Sequence, residues 1–460
     1  MRTALAAALV SSIAASAYGQ PARTPPPPLP LALVHPDQPS AAPVVLTLQD
    51  ALQRAKEFDA QFQSSVAEAA IASGDRTQAK AGLLPAMSAT TQYLGNSPTP
   101  NNVNPNGRYV SLDGVHMYRV WGVLHQDITA ATFSQTPLHK AEAAEAAALA
   151  RVEVAKRGLV VTVTRNYYAL VAAERKYATA QLAAQQSARF LEIAQQQERL
   201  GQVARSDVVK AEISDRQMQQ GYRDATLVMG NARLTLAVLL SATLDENFTV
   251  VDDLHAAPPL PPFNEVRSMA GRDNPDLRAA DEALKAAAAD VTIARNAFYP
   301  TLAVEAVYGI EANEFALHSR IAAQPELGVL PNLGYFVTLN LNVPIWDWGG
   351  MRSKLHQSEA RRHLAEVTLS QTQRQLLGNL YTMYNEALAA RAGVENLQRV
   401  AELAAESLRL TGLRYQAGES TALEVVDAQN TLVQSRNAAD DAETRYRVAL
   451  AELQTITGSF

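Results

Sequence analysis

The residues able to do chemistry are few and scattered. The 460-residue chain has no cysteine, which excludes a thiolate metal site, a cysteine nucleophile, a disulfide framework and a lipid-carrying N-terminal cysteine. His356 and His363 stand seven apart on one expected helix, about 10 Å along its axis. That is too far to ligate one metal, so both read as surface residues. No P-loop, dinucleotide fingerprint, HExxH or GxSxG elbow occurs. A net charge of −6 argues against a nucleic-acid partner. The chain therefore reads as a non-enzyme with no cofactor and no metal, and its function must lie in its architecture.

The N-terminus, residues 1–19, reads as a signal peptide. Arg2 precedes the apolar run Leu5 to Ile13, and small residues at Ala15, Ala17 and Gly19 offer cleavage sites. The run is shorter than the roughly 20 residues a membrane helix needs. The alternative, a buried N-terminal helix, is disfavoured by the Pro-rich segment 20–44, which gives it nothing to pack against. No later run is apolar enough for a membrane helix. If the chain spans a membrane, it must do so as a β-barrel.

An internal repeat organises the remainder. Pro85 matches Pro300, an offset of 300 − 85 = 215, and Tyr93 matches Tyr308. Near the ends of the halves, Gly201 to Ala211 aligns with Gly418 to Ala428 at an offset of 418 − 201 = 217. The expected division is a first repeat over 45–246, a Pro-rich linker over 247–262 and a second repeat over 263–460. Each repeat reads as helix, strand, loop, strand, long helix, turn, helix. In the second, Leu369, Leu376, Met383, Ala390 and Leu397 recur every seven residues, interleaved with Leu380, Ala387, Val394, Ala401 and Leu408. That a/d seam predicts coiled-coil packing. The helix from Gly350 to Tyr415 would run about 100 Å, and its counterpart spans Thr136 to Leu200.

The strands alternate. Val337, Leu339, Leu341 and Val343 interleave with Phe336, Thr338, Asn340 and Asn342. Leu302 to Tyr308, Met87 to Tyr93 and, less regularly, Tyr118 to Ile128 do the same. The pattern fits membrane barrel strands, and equally a water-soluble antiparallel sheet with one buried face. About four strands per chain cannot close a barrel of at least 8, and an open edge in lipid is forbidden, so a barrel would have to be shared between copies. Trp346 and Trp348 suit either a membrane-interface girdle or ordinary packing at the strand-to-helix junction.

From about Leu46 to Gly458 the chain resembles the outer-membrane efflux protein family, the TolC-like exit ducts. The resemblance rests on Val343-Pro344-Ile345-Trp346-Asp347-Trp348-Gly349-Gly350, on Arg414-Tyr415-Gln416-Ala417-Gly418 with Leu423 to Gln429, and on the closing Ala449 to Leu453 with Gly458. The first repeat departs from it: Asp127 to Ser134 lacks the Pro and paired Gly, leaving that turn's register open. The resemblance implies a mainly α protein with a transmembrane β-barrel portion. Three protomers would close twelve strands in outer-membrane lipid and continue as a coiled-coil α-helical barrel into the periplasm. The implied partners of this homotrimer are a periplasmic adaptor (membrane fusion) protein and an inner-membrane transporter, with no nucleic acid.

The resemblance further implies a periplasmic constriction at Glu424 and Asp427, three apart on one helix face, with Asp207 adding to the field. Acidic rings favour cations; the competing reading is solvated acids near a helix N-terminus. Gly201 and Gly418 would permit the hairpin turns, flanked by Tyr415 and Ser420. The expected function is a passive exit duct of a tripartite efflux system. A duct for type I protein secretion or heavy-metal export, and a pore-free periplasmic coiled-coil scaffold, are the alternatives.

Overall fold

The computed structural model describes residues 44–95, 116–241, 247–312, 317–322 and 329–458. The expected signal peptide and nearly all of the Pro-rich segment lie outside them. Two successive sets of helices, strands and a long helical hairpin are present. The opening helix of each is broken in two: α1 (Leu48–Phe58) and α2 (Ala60–Ala81) in the first, α6 (Phe263–Asp273) and α7 (Pro275–Asn296) in the second. Asn274 explains the second break. Its Oδ1 accepts from Leu277 N–H at 2.9 Å, capping α7, while Pro275 occupies the first turn.

The long helices follow their expected bounds closely. In the first repeat α3 (Ala130–Ser134) and α4 (Thr136–Arg199) precede α5 (Arg205–Leu240); in the second, α8 (Gly350–Gln416) precedes α9 (Ala422–Thr457). At 1.5 Å per residue α4 and α8 run about 96 and 100 Å. The seam of α8 is its sheltered stripe: Leu380, Ala387 and Ala390 are buried, and the other seam residues are half-buried. Among the described residues no helix is long and apolar enough to cross a membrane, which leaves the β-strands to be considered.

The chain groups into two compact units, each drawing on both repeats. One contains Leu159–Leu260 and Ala387–Ala451 together with the chain up to Asp59. In it β1 (Val44–Leu46) pairs in parallel with β4 (Phe248–Val250), an element without a sequence signal. The fully buried Tyr167 pins this ribbon. Its hydroxyl accepts from Val251 N–H at 3.0 Å and stands 2.8 Å from the Val251 carbonyl oxygen. Nearby, Arg175 meets both oxygens of Asp252 at 2.6 and 2.7 Å, Glu443 at 2.9 Å and Asp440 at 3.3 Å. His255 Nδ1 lies 2.8 Å from the same Glu443, and Gln398 donates to it at 2.6 Å.

The other unit, Ala60–Gly158, Pro261–Glu386 and the chain from Glu452, holds an antiparallel sheet in the order β2 (Ala86–Gly95), β3 (His116–Ile128), β5 (Thr301–Ala312), β8 (Leu333–Asn342). These are the four strands the alternation predicted. A short ribbon of β6 (His318–Ala322) and β7 (Val329–Pro331) accompanies it. The chain's end is clasped by the buried Arg157, which donates to the carbonyls of Thr455 at 2.8 Å and Asp273 at 3.2 Å. Gly458 (φ +77°) sits so close that a Cβ would lie 2.6 Å from Arg157 Nη2.

Candidate functional site

Strand register separates two faces by chemistry. Opposed residues across an antiparallel sheet share a face, so Met87, Leu124, Ala306 and Val337 form one row and Ala89, Gly122, Tyr308 and Tyr335 the next. Tyr93–Tyr118, Val304–Leu339 and Leu302–Leu341 extend this face, which carries no Asp, Glu, Lys or Arg. It is also bare: Met87 is 83% and Tyr335 81% exposed. Large apolar side chains in contiguous exposed rows mark a surface meant to be covered by an apolar medium or a partner.

The opposite face carries every Asp, Glu and Arg of the sheet. Arg119 donates to Glu311 Oε1 at 3.0 and 2.8 Å and to Gln92 Oε1 at 3.0 Å. His125 lies 3.3 Å from Asp127 and 3.9 Å from Glu305. Between these tiers stand Trp121 and Phe336, edge to face with centroids 6.2 Å apart. Among the described residues β2 and β8 each pair on one side only. Two open sheet edges are the liability that closure into a barrel removes.

The strand-to-helix turns bound this sheet. In the second repeat Pro344 is half-buried, and Trp346 and Trp348 lie in the open with rings 5.7 Å apart, Trp348 being 90% exposed. The exposure shows that neither ring is packed into the junction. Trp348 (φ 57°) and Gly349 (φ 86°) take left-handed conformations, and Gly350 starts α8. The Asp347 carboxylate caps this start, accepting from Gly349 N–H at 3.1 Å and from Met351 N–H. The first repeat answers with Gln135 (φ 50°) immediately before α4. Its offset from Gly349 is 349 − 135 = 214, which fixes the register left open in the sequence.

At the hairpin tips each glycine ends its helix in the same way. Gly201 N–H bonds Glu198 O at 2.8 Å and Gln202 N–H bonds Gln197 O at 2.9 Å, while Gly418 N–H bonds Tyr415 O at 3.0 Å and Glu419 N–H bonds Arg414 O at 2.8 Å. With φ of +74° and +77° at the two glycines, both are Schellman caps. Ser420 closes the second turn through Oγ to Thr411 O at 3.3 Å. The tips pack on one cluster: Phe190, Ala194, Val208, Ala211, Tyr415, Ala422 and Val425.

Glu424 and Asp427 are both exposed on α9. Glu424 is tied locally, in a capping box with Thr421 and 3.7 Å from Arg414. Thr421-Ala422-Leu423-Glu424 carries the box signature in plain sequence, so this role was readable. Asp207, half-buried, has Lys210 at 3.8 Å. Tyr415 is buried edge to face on Phe190, and its hydroxyl has no hydrogen-bond partner among the described residues. Burial first, and the Asp207 carboxylate second, push its phenol above the ordinary range. Among the described residues no three His, Asp or Glu are placed to hold a metal.

Similarity to known proteins covers part of the chain. Residues 266–459 match the family model described as outer membrane efflux protein. Outer membrane protein OprJ of Pseudomonas aeruginosa is 29% identical over 187 residues, 39% of this chain and 36% of its own length. The match thus spans little more than a third of that relative. Nodulation protein T of Rhizobium leguminosarum bv. trifolii is 24% identical over 328 residues, 69% of this chain and 67% of its own. The crystal structure of the Campylobacter jejuni CmeC outer membrane channel shares the fold, with a TM-score of 0.75 at 17% identity over 89% of this chain and 85% of that one.

Proposed function

We propose that this chain, whose residues 266–459 match the family model described as outer membrane efflux protein, is a member of that family and one protomer of a homotrimeric exit duct. Its place is the outer membrane, with a large helical part in the periplasm, and it is not an enzyme. Three copies of the four-stranded sheet close a barrel of twelve strands, the apolar face toward lipid and the charged face toward the lumen. The long helices line a periplasmic tunnel, and a periplasmic adaptor and an inner-membrane transporter deliver cargo that passes through without chemistry. The observation that carries this reading is the sheet itself. It has one exposed face without Asp, Glu, Lys or Arg, one charged face and, among the described residues, two open edges, an arrangement stable in lipid only when edges from other copies close it.

Two site assignments accompany it. The exposed carboxylates of Glu424 and Asp427, with Asp207, form the acidic constriction of the tunnel. Trp346 and Trp348 anchor the barrel in the headgroup layer, where amphipathic rings are favoured.

Fractionation and planar-bilayer recording test the function. A heat-modifiable outer-membrane oligomer that forms ion-conducting pores is expected. A soluble periplasmic monomer that forms none would overturn the proposal and favour a scaffold.

A further inference from the structure

We propose that the charged face of the sheet holds a binding step for aromatic cations, in which Phe336 and Trp121 take the ring and Glu305 takes the charge. The proposal rests on the channel reading, since it places this face in the lumen.

Register supplies the geometry. Trp121 stands opposite Gly309, which in turn faces Gly334 on β8. A Cβ on Gly334 would meet nothing within 4 Å. The row containing Trp121 continues as Thr90 on the β2 side and as two glycines on the β5 and β8 side, of which only Gly334 borders open space. Phe336 stands in the adjacent row. The two aromatics, 6.2 Å apart and edge to face, leave the Phe336 ring half-open, at 44% exposure.

Charge lies one row further along. Glu305 pairs with Thr338, so Phe336 is its diagonal neighbour across β5 and β8, about 7–8 Å away. That separation suits a molecule with a cationic nitrogen next to an aromatic ring. The face carries three carboxylates, Asp127, Glu305 and Glu311, against one arginine, and Arg119 is already taken by Glu311. His125 is the neighbour of the remaining two among the described residues. The uncompensated negative charge therefore sits beside the aromatic pair. Trp121 already holds one cation within the chain, the Arg119 guanidinium carbon 5.1 Å from its ring centroid, so the open ring of the pair is that of Phe336.

The test uses the purified full-length protein in planar bilayers with three probes: N-benzylpyridinium, an aromatic cation; hexyltrimethylammonium, an aliphatic one; and benzenesulfonate, an aromatic anion. N-benzylpyridinium should block the pore at the lowest concentration. Trp121→Leu or Phe336→Leu should weaken that block by about 2- to 13-fold, the range of an aromatic–aromatic contact, and weaken hexyltrimethylammonium block less. Glu305→Gln should weaken both cations. A second readout needs no change on this face. With Trp346 and Trp348 replaced by Phe, Trp121 is the last of the chain's three tryptophans, and N-benzylpyridinium should quench it saturably. Equal block of the Leu variants and wild type, or no saturable quenching of Trp121, would overturn the binding step while pores still form. A wild-type protein that forms no pore would instead overturn the channel reading beneath it.

Discussion

Glu424 Oε1 accepts from the Thr421 hydroxyl at 3.2 Å and from the Thr421 N–H at 3.3 Å, while the Thr421 Oγ1 accepts from the Glu424 N–H at 3.3 Å. One carboxylate thus both starts α9 and faces solvent with its charge. Two substitutions separate the roles. Glu424→Gln keeps an acceptor for the box and removes the charge, whereas Glu424→Ala removes both and should cost about 1 kcal/mol of helix stability. If the tip is an acidic constriction, Glu424→Gln with Asp427→Asn will lower cation selectivity or divalent-cation block in single-channel recordings. Unaltered ion selectivity and block in that double variant would leave Glu424 with capping alone.

Arg175 makes a second test, of stability. It faces three carboxylates, of which Glu443 is 4% and Asp440 14% exposed. Burial raises the Asp440 carboxyl above its ordinary range, although the Arg175 hydrogen bond opposes the shift. Removing the arginine takes the cation from Asp440 and leaves Glu443 only Gln398 and His255, at a cost of up to about 3–5 kcal/mol. Arg175→Met should render the helices around β1 and β4 sensitive to limited proteolysis under conditions where the wild type resists. Equal resistance would show that the cluster does not hold them.

Alkaline titration probes Tyr167. Burial is the main cause that lifts its phenol from 10.0 to about 12. The folded state therefore favours the neutral form more than the unfolded chain does. That contribution is complete below pH 10 and is lost as pH rises through about 12. Circular dichroism at fixed denaturant should show helix loss across this window, and Tyr167→Phe, which cannot ionise, should reduce it. A loss of the same size in the variant would assign the transition to other groups.

Gly309 and Gly334 are opposed in the sheet yet should respond differently. A Cβ at Gly309 would lie 2.0 Å from the Val120 carbonyl oxygen, whereas one at Gly334 meets open space. Gly309→Ala must push β3 away from β5 and should sharply lower the amount of heat-stable oligomer in the outer membrane. Gly334→Ala should leave it near wild type. Similar yields from the two variants would contradict the strand register.

Much of this architecture is written in periodicities that short-range physics enforces. The a/d seam of α8 and the alternation in β5 and β8 set their bounds to within a few residues, because a slip would turn each apolar set to the wrong face. The hairpin glycines were readable because left-handed backbone selects for them. What escaped depends on distant partners or on exceptions to local rules. The β1–β4 ribbon is three residues long and is held by Tyr167, far away in the chain. Gln135 adopts a left-handed conformation that its type does not announce. The aromatic pair on the charged face needed the β3–β5–β8 register, since Trp121 and Phe336 lie far apart in sequence.

The helix lengths carry a consequence for how such a chain tolerates insertions and deletions. The return helices α5 and α9 are both 36 residues, whereas α4 has 64 and α8 has 67, a difference of 67 − 64 = 3. At 3.6 residues per turn, a single inserted residue rotates everything beyond it by about 100° and carries the apolar stripe off its seam. Three residues bring it back to within about 60°, a deficit that local overwinding of the supercoil absorbs. Length in these helices is therefore quantised, and single-residue changes in α4 or α8 will be far more damaging than changes of three or four.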